Sequence, residues 1–220
     1  MKEITWLIDK ATGRLTVEGL KPSEAQTLTS NFLSEAQSVN CARPINEPPL
    51  KIARLQRATL EPTLRVYRIY HHSVVEGPGR RSVVQLQGCN RFCVGCYVPE
   101  TFDPNGGVEL TINETVDLLL DERGAPRDGM TVLGGEPFLQ AKGLALLLRE
   151  LKKREIHITL YTGYTLEELL ALDEPEVSEA LVHTDILIDG PFIASLTKGA
   201  GEWRGSTNQR IIYNPSKVMP

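Results

Sequence analysis

The sequence predicts an α/β fold of parallel strand–helix units, preceded by a small β-β-α attachment. From residue 65 onward, short runs of β-branched and apolar residues alternate with amphipathic stretches, a pattern typical of parallel βα units. Two of the amphipathic stretches open with a threonine–glutamate capping box. Asn40 to Pro49 holds three prolines and no periodicity, which indicates a linker after the attachment.

Length and composition limit the classes of protein to consider. The 220 residues suffice for one domain with a small attachment, and we place the boundary between residues 60 and 61. A net charge of -4 gives no reason to expect nucleic acid binding. No apolar run is long enough to span a membrane, and Met1 to Asp9 lacks the layout of a signal peptide. We therefore expect a cytoplasmic protein without a membrane partner.

The attachment, residues 1–60, begins with two predicted strands, Ile4 to Ile8 and Arg14 to Val17. Ala11 to Gly13 supplies the turn between them. Pro22 and Ser23 open a predicted helix that runs to about Val39. No cluster of acids, bases or metal ligands stands out here, so we expect this part to serve packing or partner docking.

The second part, residues 61–220, carries the predicted strand–helix units. Its predicted strands are Arg65 to Tyr70, Arg80 to Leu86, Met130 to Leu133, Ile156 to Tyr161, Asp185 to Ile188 and Arg210 to Tyr213. Its predicted helices run from the capping box at Thr111 to about Arg123, from Pro137 to Arg154, and onward from the capping box at Thr165. Ligand sites in such folds lie at the carboxyl ends of the strands.

Three cysteines follow the strand that ends at Leu86. Cys89, Cys93 and Cys96 have a C-x3-C-x2-C spacing. Three thiolates on one short loop can hold three corners of an iron–sulfur cube, whereas an ordinary cluster takes four cysteines. The fourth iron would then stay open to a ligand. Cys41 lies far upstream and is interpreted as a spare thiol, with a fourth cluster ligand as the alternative.

Two other interpretations of this loop are less favoured. A zinc knuckle could recruit His71, His72, His157 or His183, but zinc ligands usually come as two separated pairs. A disulfide is disfavoured by the odd number of loop cysteines and by the expected reducing compartment.

A strand-to-helix turn, Gly134-Gly135-Glu136-Pro137, follows the predicted strand Met130 to Leu133. The two glycines leave backbone groups uncovered by side chains, which suits the approach of a small charged ligand. Glu136 can accept a hydrogen bond from an ammonium group. Pro137 fits the first turn of a helix, so the motif taken alone also fits an ordinary turn.

Several motifs in order from Arg65 to Asn214 resemble one family. They are Gly-Cys-Asn, Cys-x-Gly-Cys-Tyr with Pro-Glu-Thr, Gly-Gly-Glu-Pro, Tyr-Thr-Gly-Tyr, Asp-Gly-Pro-Phe and Arg-Gly-Ser-x-Asn-Gln-Arg. This set is similar to the radical S-adenosylmethionine superfamily, and within it to the anaerobic ribonucleotide reductase activating proteins, which are glycyl radical enzyme activases. Val98 stands where that family commonly has Asn, and the family generally lacks a counterpart of residues 1–60.

The resemblance implies an incomplete (β/α)6-type open barrel and a radical S-adenosylmethionine oxidoreductase. It implies a [4Fe-4S] cluster on Cys89, Cys93 and Cys96, with no catalytic residue beyond these ligands, and S-adenosyl-L-methionine as the second cofactor. It also implies a large glycyl radical enzyme as partner and an electron donor such as flavodoxin or ferredoxin. The predicted cofactor-binding residues are Gly95, Cys96, Tyr97, Gly134, Gly135, Glu136, Thr162 and Asp189.

Some assignments stay open on the residues alone. Tyr97 can pack on the adenine, with backbone groups of Gly95 and Cys96 beside it, or it can be a core or hinge aromatic. Asp189 stands at a strand end, where a site carboxylate and a turn-forming Asp are both common. A radical enzyme acting on a small molecule or peptide, and a non-enzymatic electron carrier, are the alternative functions.

Overall fold

The computed structural model describes residues 61–219 in full and the backbone of residues 5–8 and 15–18. The chain divides into two compact units, Met1–Ala53 and Arg54–Pro220. In the first unit, strand β1 (Thr5–Ile8) pairs antiparallel with β2 (Leu15–Glu18), which confirms the two predicted strands. The helix predicted from Pro22 and the spare thiol predicted at Cys41 lie outside the described residues. The boundary at residue 60 stays a prediction.

Within residues 61–219, seven strands form one mixed sheet in the order β5-β3-β4-β6-β7-β8-β9. The four central strands β4, β6, β7 and β8 run parallel, which confirms the predicted βα units, and the outer strands β3, β5 and β9 pair antiparallel. The strands are β3 (Thr63–Ser73), β4 (Arg81–Leu86), β5 (Val108–Thr111), β6 (Gly129–Gly134), β7 (Ile158–Tyr161), β8 (Ile186–Asp189) and β9 (Arg210–Tyr213).

Four α-helices connect these strands within the same residues: α1 (Ile112–Leu120), α2 (Ala141–Lys152), α3 (Leu166–Leu170) and α4 (Pro175–Val182). Both predicted capping boxes are present, at Thr111 with Glu114 and at Thr165 with Glu168. In the described part of the chain, no helix combines the length and apolar character that crossing a bilayer requires.

The predicted elements differ from the observed ones at several ends. Helix α1 stops at Leu120 rather than near Arg123, because Asp121 leaves the helical conformation and its side chain accepts from the backbone of Arg123. The helix predicted from Pro137 starts with a 3-10 turn, Pro137–Gln140, before α2. Sequence reasoning missed β5 and α4. Strand β5 has only four residues, so its alternation of apolar and polar residues is too short to predict a strand.

The two faces of the sheet differ in chemistry, as the two-residue period of a strand allows. On one face, apolar side chains of the central strands pack against the helices to form the core. Four leucines of α2, predicted to face inward, are fully buried there: Leu144, Leu147, Leu148 and Leu151. The other face carries polar groups, among them Arg81, Gln85, Thr131, Thr159 and Tyr161.

The buried Arg81 guanidinium ties the start of β4 to its neighbours. Its Nε donates to the Thr131 hydroxyl at 2.6 Å, and its two Nη groups donate to carbonyl oxygens of Pro78 at 3.0 Å and His157 at 3.0 Å. Burial lowers the pKa of Arg81 to about 10. These bonds close the polar face at the amino ends of the parallel strands, which leaves the carboxyl ends for a ligand site.

We expect Gly143→Ala to destabilise the protein even though alanine favours helices. A Cβ at this position in α2 would lie 2.8 Å from both a methyl carbon of Leu64 and the carbonyl oxygen of Thr63 in β3. Overpacking a core typically costs ~1–3 kcal/mol, which outweighs a helix-propensity gain of ~0.5–1 kcal/mol. The urea midpoint should fall, while the exposed Lys142→Ala control should barely move it. A higher midpoint for Gly143→Ala would contradict this account of the packing.

Candidate active site

A cavity of about 970 Å³ lies on the polar side of the sheet, a size suited to a small-molecule ligand. All three loop cysteines line it. Of the predicted cofactor-binding residues, six line this cavity: Cys96, Tyr97, Gly134, Gly135, Glu136 and Thr162. Gly95 and Asp189 do not. The turns after β4, β6 and β7 thus meet at one place, as expected for the carboxyl ends of parallel strands.

The cysteine loop presents three free, partly exposed thiols to this cavity. Its start is fixed where Gly88 N donates to Thr101 O at 2.8 Å, and its end is a turn in which Cys96 N donates to Cys93 O at 3.1 Å. Burial raises the pKa of the Cys89 thiol. Gly95 forms that turn with φ +77°, so it shapes the loop without lining the cavity.

The loop offers the ligands that a multi-iron cluster requires. A four-iron cube takes one thiolate at each of several irons. Cys89, Cys93 and Cys96 all line the same cavity. Three thiols on one cavity can therefore each bind one iron of a shared cluster.

The two glycines at the end of β6 are required by the backbone at the end of β4 and just after it. A Cβ at Gly135 would lie 2.0 Å from the Gly88 carbonyl oxygen, and one at Gly134 would lie 2.2 Å from the Leu86 amide nitrogen. The glycine turn is further bonded to this strand end, because Glu136 N donates to Gly88 O at 2.8 Å. These glycines therefore let their own backbone approach the backbone of Leu86 and Gly88. This contact brings the turn against the start of the cysteine loop.

The Glu136 carboxylate is fully buried at this turn. It accepts hydrogen bonds from Phe138 N at 3.1 Å, from the Thr162 hydroxyl at 2.9 Å and from Gly163 N at 2.8 Å. Burial raises the pKa of Glu136 to about 7, although these donors and the charge of Arg91 act in the opposite direction. A carboxylate offers about four acceptor positions, and these three protein donors occupy all but one of them.

Tyr164, in the turn after β7, holds the cysteine loop from the other side. The Asn90 amide donates to its hydroxyl at 2.8 Å, and the Arg91 guanidinium lies 4.6 Å from its ring centroid. Arg91 also lies 3.8 Å from Glu168. Asn90 and Arg91 sit between the first two cysteines, so these contacts order the loop through the protein alone.

Tyr97 forms an aromatic wall of the cavity with Phe192. Their ring centroids are 4.9 Å apart at an interplanar angle of 47°. Tyr97 is 72% exposed, so it is not a core aromatic and its ring remains available to a ligand. Phe192 follows β8 in the Asp-Gly-Pro-Phe motif, and sequence reasoning assigned it no role.

Asp189 lies away from the cavity, with its carboxylate held by the protein. It accepts from Leu166 N at 2.7 Å and from Arg210 Nε at 2.9 Å. Arg210 also binds Glu167, at 2.7 Å. In this structure Asp189 joins the end of β8 to β9 and to the start of α3, and it is Gly190 that lines the cavity.

Sequence reasoning also missed two polar residues on the polar face of the sheet. Arg68 Nε donates to Gln85 Oε1 at 2.6 Å across β3 and β4, and both residues line the cavity. The signal was present in the sequence, since Gln85 stands between apolar residues, Val83 and Val84 before it and Leu86 after it. It became informative only once the sheet showed that this position faces a cavity.

Comparisons with known proteins agree with this chemistry. Residues 75–212 match the family model described as a 4Fe-4S single cluster domain. The chain is 35% identical to the anaerobic ribonucleoside-triphosphate reductase-activating protein of Enterobacteria phage T4 over 156 residues, 69% of this chain and 95% of that protein. It is 34% identical to the protein of that name from Vibrio cholerae, over 67% of this chain and 97% of the other. QueE from Escherichia coli shows a distant similarity, with 17% identity and a TM-score of 0.40 over 47% of this chain and 54% of that one.

We expect substitution of Tyr164 to loosen the cysteine loop. In cluster-free protein, Tyr164→Phe loses only the bond from Asn90, worth about 1 kcal/mol, so amide exchange in residues 88–97 should rise roughly fivefold. Tyr164→Leu also loses the contact with Arg91 and should raise the amide exchange of these residues further. Hydrogen-exchange mass spectrometry measures this, with helix α2 as the internal control. Unchanged exchange of the loop in both variants would show that other contacts order it.

We expect Glu136 to make stability depend on pH. Because its folded-state pKa is raised from 4.5 to about 7, the protonated form is favoured in the folded protein. The contribution of protonated Glu136 to the free energy of unfolding is therefore complete below about pH 4.5 and is lost as the pH rises through 7. This effect amounts to up to roughly 3 kcal/mol. Urea unfolding of cluster-free protein from pH 5 to 8 should show wild type losing stability relative to Glu136→Gln. The exposed Glu122→Gln control should run parallel to wild type, and a constant difference for Glu136→Gln would rule out the raised pKa.

Proposed function

The chain belongs to the family of anaerobic ribonucleoside-triphosphate reductase-activating proteins, and we propose that it generates a glycyl radical on such a reductase. The observation that carries this proposal is the single cavity lined by all three loop cysteines and by the Gly134-Gly135-Glu136 turn. The chain spans 95% and 97% of the length of the two relatives described above. It therefore contains a counterpart of nearly the whole of each of these two relatives.

The residues that would hold the cofactors are already gathered at this cavity. Cys89, Cys93 and Cys96 would bind three irons of a [4Fe-4S] cluster. When bound, the reduced cluster and S-adenosyl-L-methionine would supply the radical chemistry that removes a hydrogen atom from the substrate. The chain itself supplies the binding, the orientation and the exclusion of water around this chemistry.

The cofactor contacts follow from the chemistry of the lining residues. The fourth acceptor position of Glu136 suits the methionine ammonium group, beside backbone groups of Gly134 and Gly135. Tyr97 and Phe192 offer aromatic faces to the adenine, and the backbone of Gly95 and Cys96 lies next to them. Thr162 acts through Glu136, since its hydroxyl donates to that carboxylate. Asp189 acts indirectly: its hydrogen bonds to Arg210 and Leu166 fix the end of β8, and the next residue, Gly190, lines the cavity.

We further propose that the sheet curves as an incomplete, (β/α)6-type open barrel. Residues from β3 to the segment before β9 line the same cavity: Arg68 of β3, Gln85 of β4, Leu133 of β6, Tyr161 of β7 and Gln209 beside β9. A flat sheet would not bring β3 and the start of β9, which are separated by four strands, to one cavity. Within residues 61–219, β5 and β9 at the two edges do not pair with each other, so the barrel would remain open.

The surroundings of the cavity favour a protein substrate. Large exposed apolar side chains lie along it and on the cysteine loop, including Val74, Val75, Phe92, Val94 and Tyr97. Such a rim suits an inserted loop of a partner protein, which would also shield the radical. The Met1–Ala53 unit carries no chemistry that we recognise in its sequence, so we assign it to docking of this partner.

The remaining assignments rest on the chemistry alone. A flavodoxin or ferredoxin would supply the electron, because the cluster must be reduced before the cofactor is cleaved. The cytoplasm is the expected compartment, since its reducing conditions keep thiols available for cluster assembly. A non-enzymatic electron carrier would not need so large a cavity beside its cluster, which disfavours that alternative.

The test combines radical transfer with deletion of residues 1–60. Reduced, cluster-loaded protein is incubated without oxygen with S-adenosyl-L-methionine and an anaerobic ribonucleotide reductase. Electron paramagnetic resonance should detect a glycyl radical, and chromatography should detect 5′-deoxyadenosine. Deletion of residues 1–60 should preserve 5′-deoxyadenosine formation but lower the radical yield, whereas Cys93→Ser should abolish both.

One outcome would contradict the activase function, and another would contradict only the docking role. Stoichiometric turnover of a small molecule by the full chain, with no radical on the reductase, would favour the alternative substrate class. An undiminished radical yield after the deletion would remove the docking role from residues 1–60 while leaving the activase function in place. Iron analysis of each variant establishes that the deletion has not simply lost the cluster.

A further inference from the structure

Arg68 and Gln85 form a cross-strand pair on the polar face of the sheet. They lie directly opposite each other in the pairing of β3 with β4, and Arg68 Nε donates to Gln85 Oε1 at 2.6 Å. Both side chains line the cavity. On its other side Gln85 pairs with Leu133 of β6, the residue before the Gly134-Gly135-Glu136 turn. The pair therefore lies next to the turn at which the cavity begins.

The remaining polar groups of this pair are donors without acceptors. Within residues 61–219, neither the two Nη groups of Arg68 nor the Nε2 group of Gln85 donates to a protein acceptor. Arg68 also forms no ion pair with a carboxylate in that part of the chain. Its Cζ lies 5.4 Å from the ring centroid of Tyr67 and 5.2 Å from that of Tyr70, so the guanidinium is restrained by aromatic contacts. A ligand in the cavity thus meets a restrained set of N–H donors.

The charges around the pair favour a neutral acceptor. Glu76 lines the same cavity, and its carboxylate accepts hydrogen bonds from the hydroxyls of Tyr70 and Ser73. Tyr70 therefore contacts both Arg68 and Glu76. A ligand carboxylate would be attracted by Arg68 but repelled by Glu76. Carbonyl oxygens carry no net charge, so they can accept from these donors without that repulsion.

The chemistry of a glycine substrate points to the same acceptors. Glycine has no side chain, so a site that binds the segment around it must contact main-chain groups. Main-chain hydrogen bonds commonly supply the affinity when a protein binds an extended segment of its partner. Val74 and Val75, which follow β3, line the same cavity and are 66% and 67% exposed. They can contact apolar side chains on either side of the glycine.

We propose that Arg68 and Gln85 bind main-chain carbonyl oxygens of the loop that carries the radical-forming glycine of the partner reductase. This inference rests on the proposed function, since that function supplies the partner. The pair would hold the substrate loop beside the glycine turn and would thereby determine how tightly the reductase is engaged.

The test measures how radical formation depends on the concentration of the partner. Reduced, cluster-loaded protein with S-adenosyl-L-methionine is titrated with an anaerobic ribonucleotide reductase, and electron paramagnetic resonance measures the glycyl radical. Arg68→Met and Gln85→Leu remove donors at similar side-chain size. Each should raise the half-saturating reductase concentration roughly fivefold or more, with a smaller change in the yield at saturation. The control Arg123→Gln, at an arginine that is 76% exposed and outside the cavity, should match wild type.

A second titration identifies the acceptor. It uses a reductase variant in which every Asp and Glu of the glycine loop is replaced by Asn or Gln. If the acceptors are main-chain carbonyls, Arg68→Met should weaken engagement of this variant by the same factor as engagement of the native reductase. If wild type and Arg68→Met engage the neutral variant equally, Arg68 binds a carboxylate of the partner and the inference is wrong.

The remaining outcomes also have distinct meanings. An unchanged half-saturating concentration in both variants would show that the pair only bridges β3 and β4. Lower affinity for S-adenosyl-L-methionine in calorimetric titration would assign the pair to the cofactor instead. Melting curves check the fold, and because Arg68 is exposed, Arg68→Met keeps the test valid even if Gln85→Leu unfolds. Wild-type protein that forms no radical on the reductase would contradict the proposed function rather than this inference alone.

Discussion

The buried carboxylate of Glu136 is the interaction on which the site depends. It accepts from Phe138 at the start of its own 3-10 turn and from Thr162 and Gly163 in the turn after β7. Through that turn it is coupled to the cysteine loop, because the Tyr164 hydroxyl accepts a hydrogen bond from the Asn90 amide. Burying a carboxylate is costly unless its hydrogen bonds are made, so the turns after β6 and β7 must keep their relative positions for the carboxylate to stay paired.

A second constraint is steric and acts where β4 and β6 end. The backbone of the Gly134-Gly135 turn approaches that of Leu86 and Gly88 so closely that neither glycine position has room for a Cβ. This contact brings the cofactor turn against the start of the cysteine loop. The same glycines therefore serve two purposes, since they seat the turn on the neighbouring strand and leave backbone groups uncovered on the cavity side.

The contrast between the two faces of the sheet explains why the site lies where it does. Helices cover one face with apolar contacts, while the other carries buried polar groups such as Arg81 and Gln85. The Arg81 bonds close one end of that polar face, so a charged ligand meets the opposite end. Glu136 and Arg204 line the cavity there, which suits a ligand that carries both signs of charge.

The sequence by itself determined the local features, because these depend on residues close together in the chain. The capping boxes at Thr111 and Thr165, the parallel βα units and the three-cysteine loop all follow from short-range spacing and periodicity, and they predicted the chemistry of the site.

Tertiary structure decided which polar side chains remain available. Asp189 and Arg210 bind each other, whereas Arg204, from the same segment as Arg210, lines the cavity without an ion pair in residues 61–219. No local pattern separates these cases, because a partner such as Asp189 lies 21 residues away from Arg210 and reaches it only through pairing of β8 with β9. Tyr164 escaped sequence reasoning for the same reason, since its contact with Asn90 spans 74 residues.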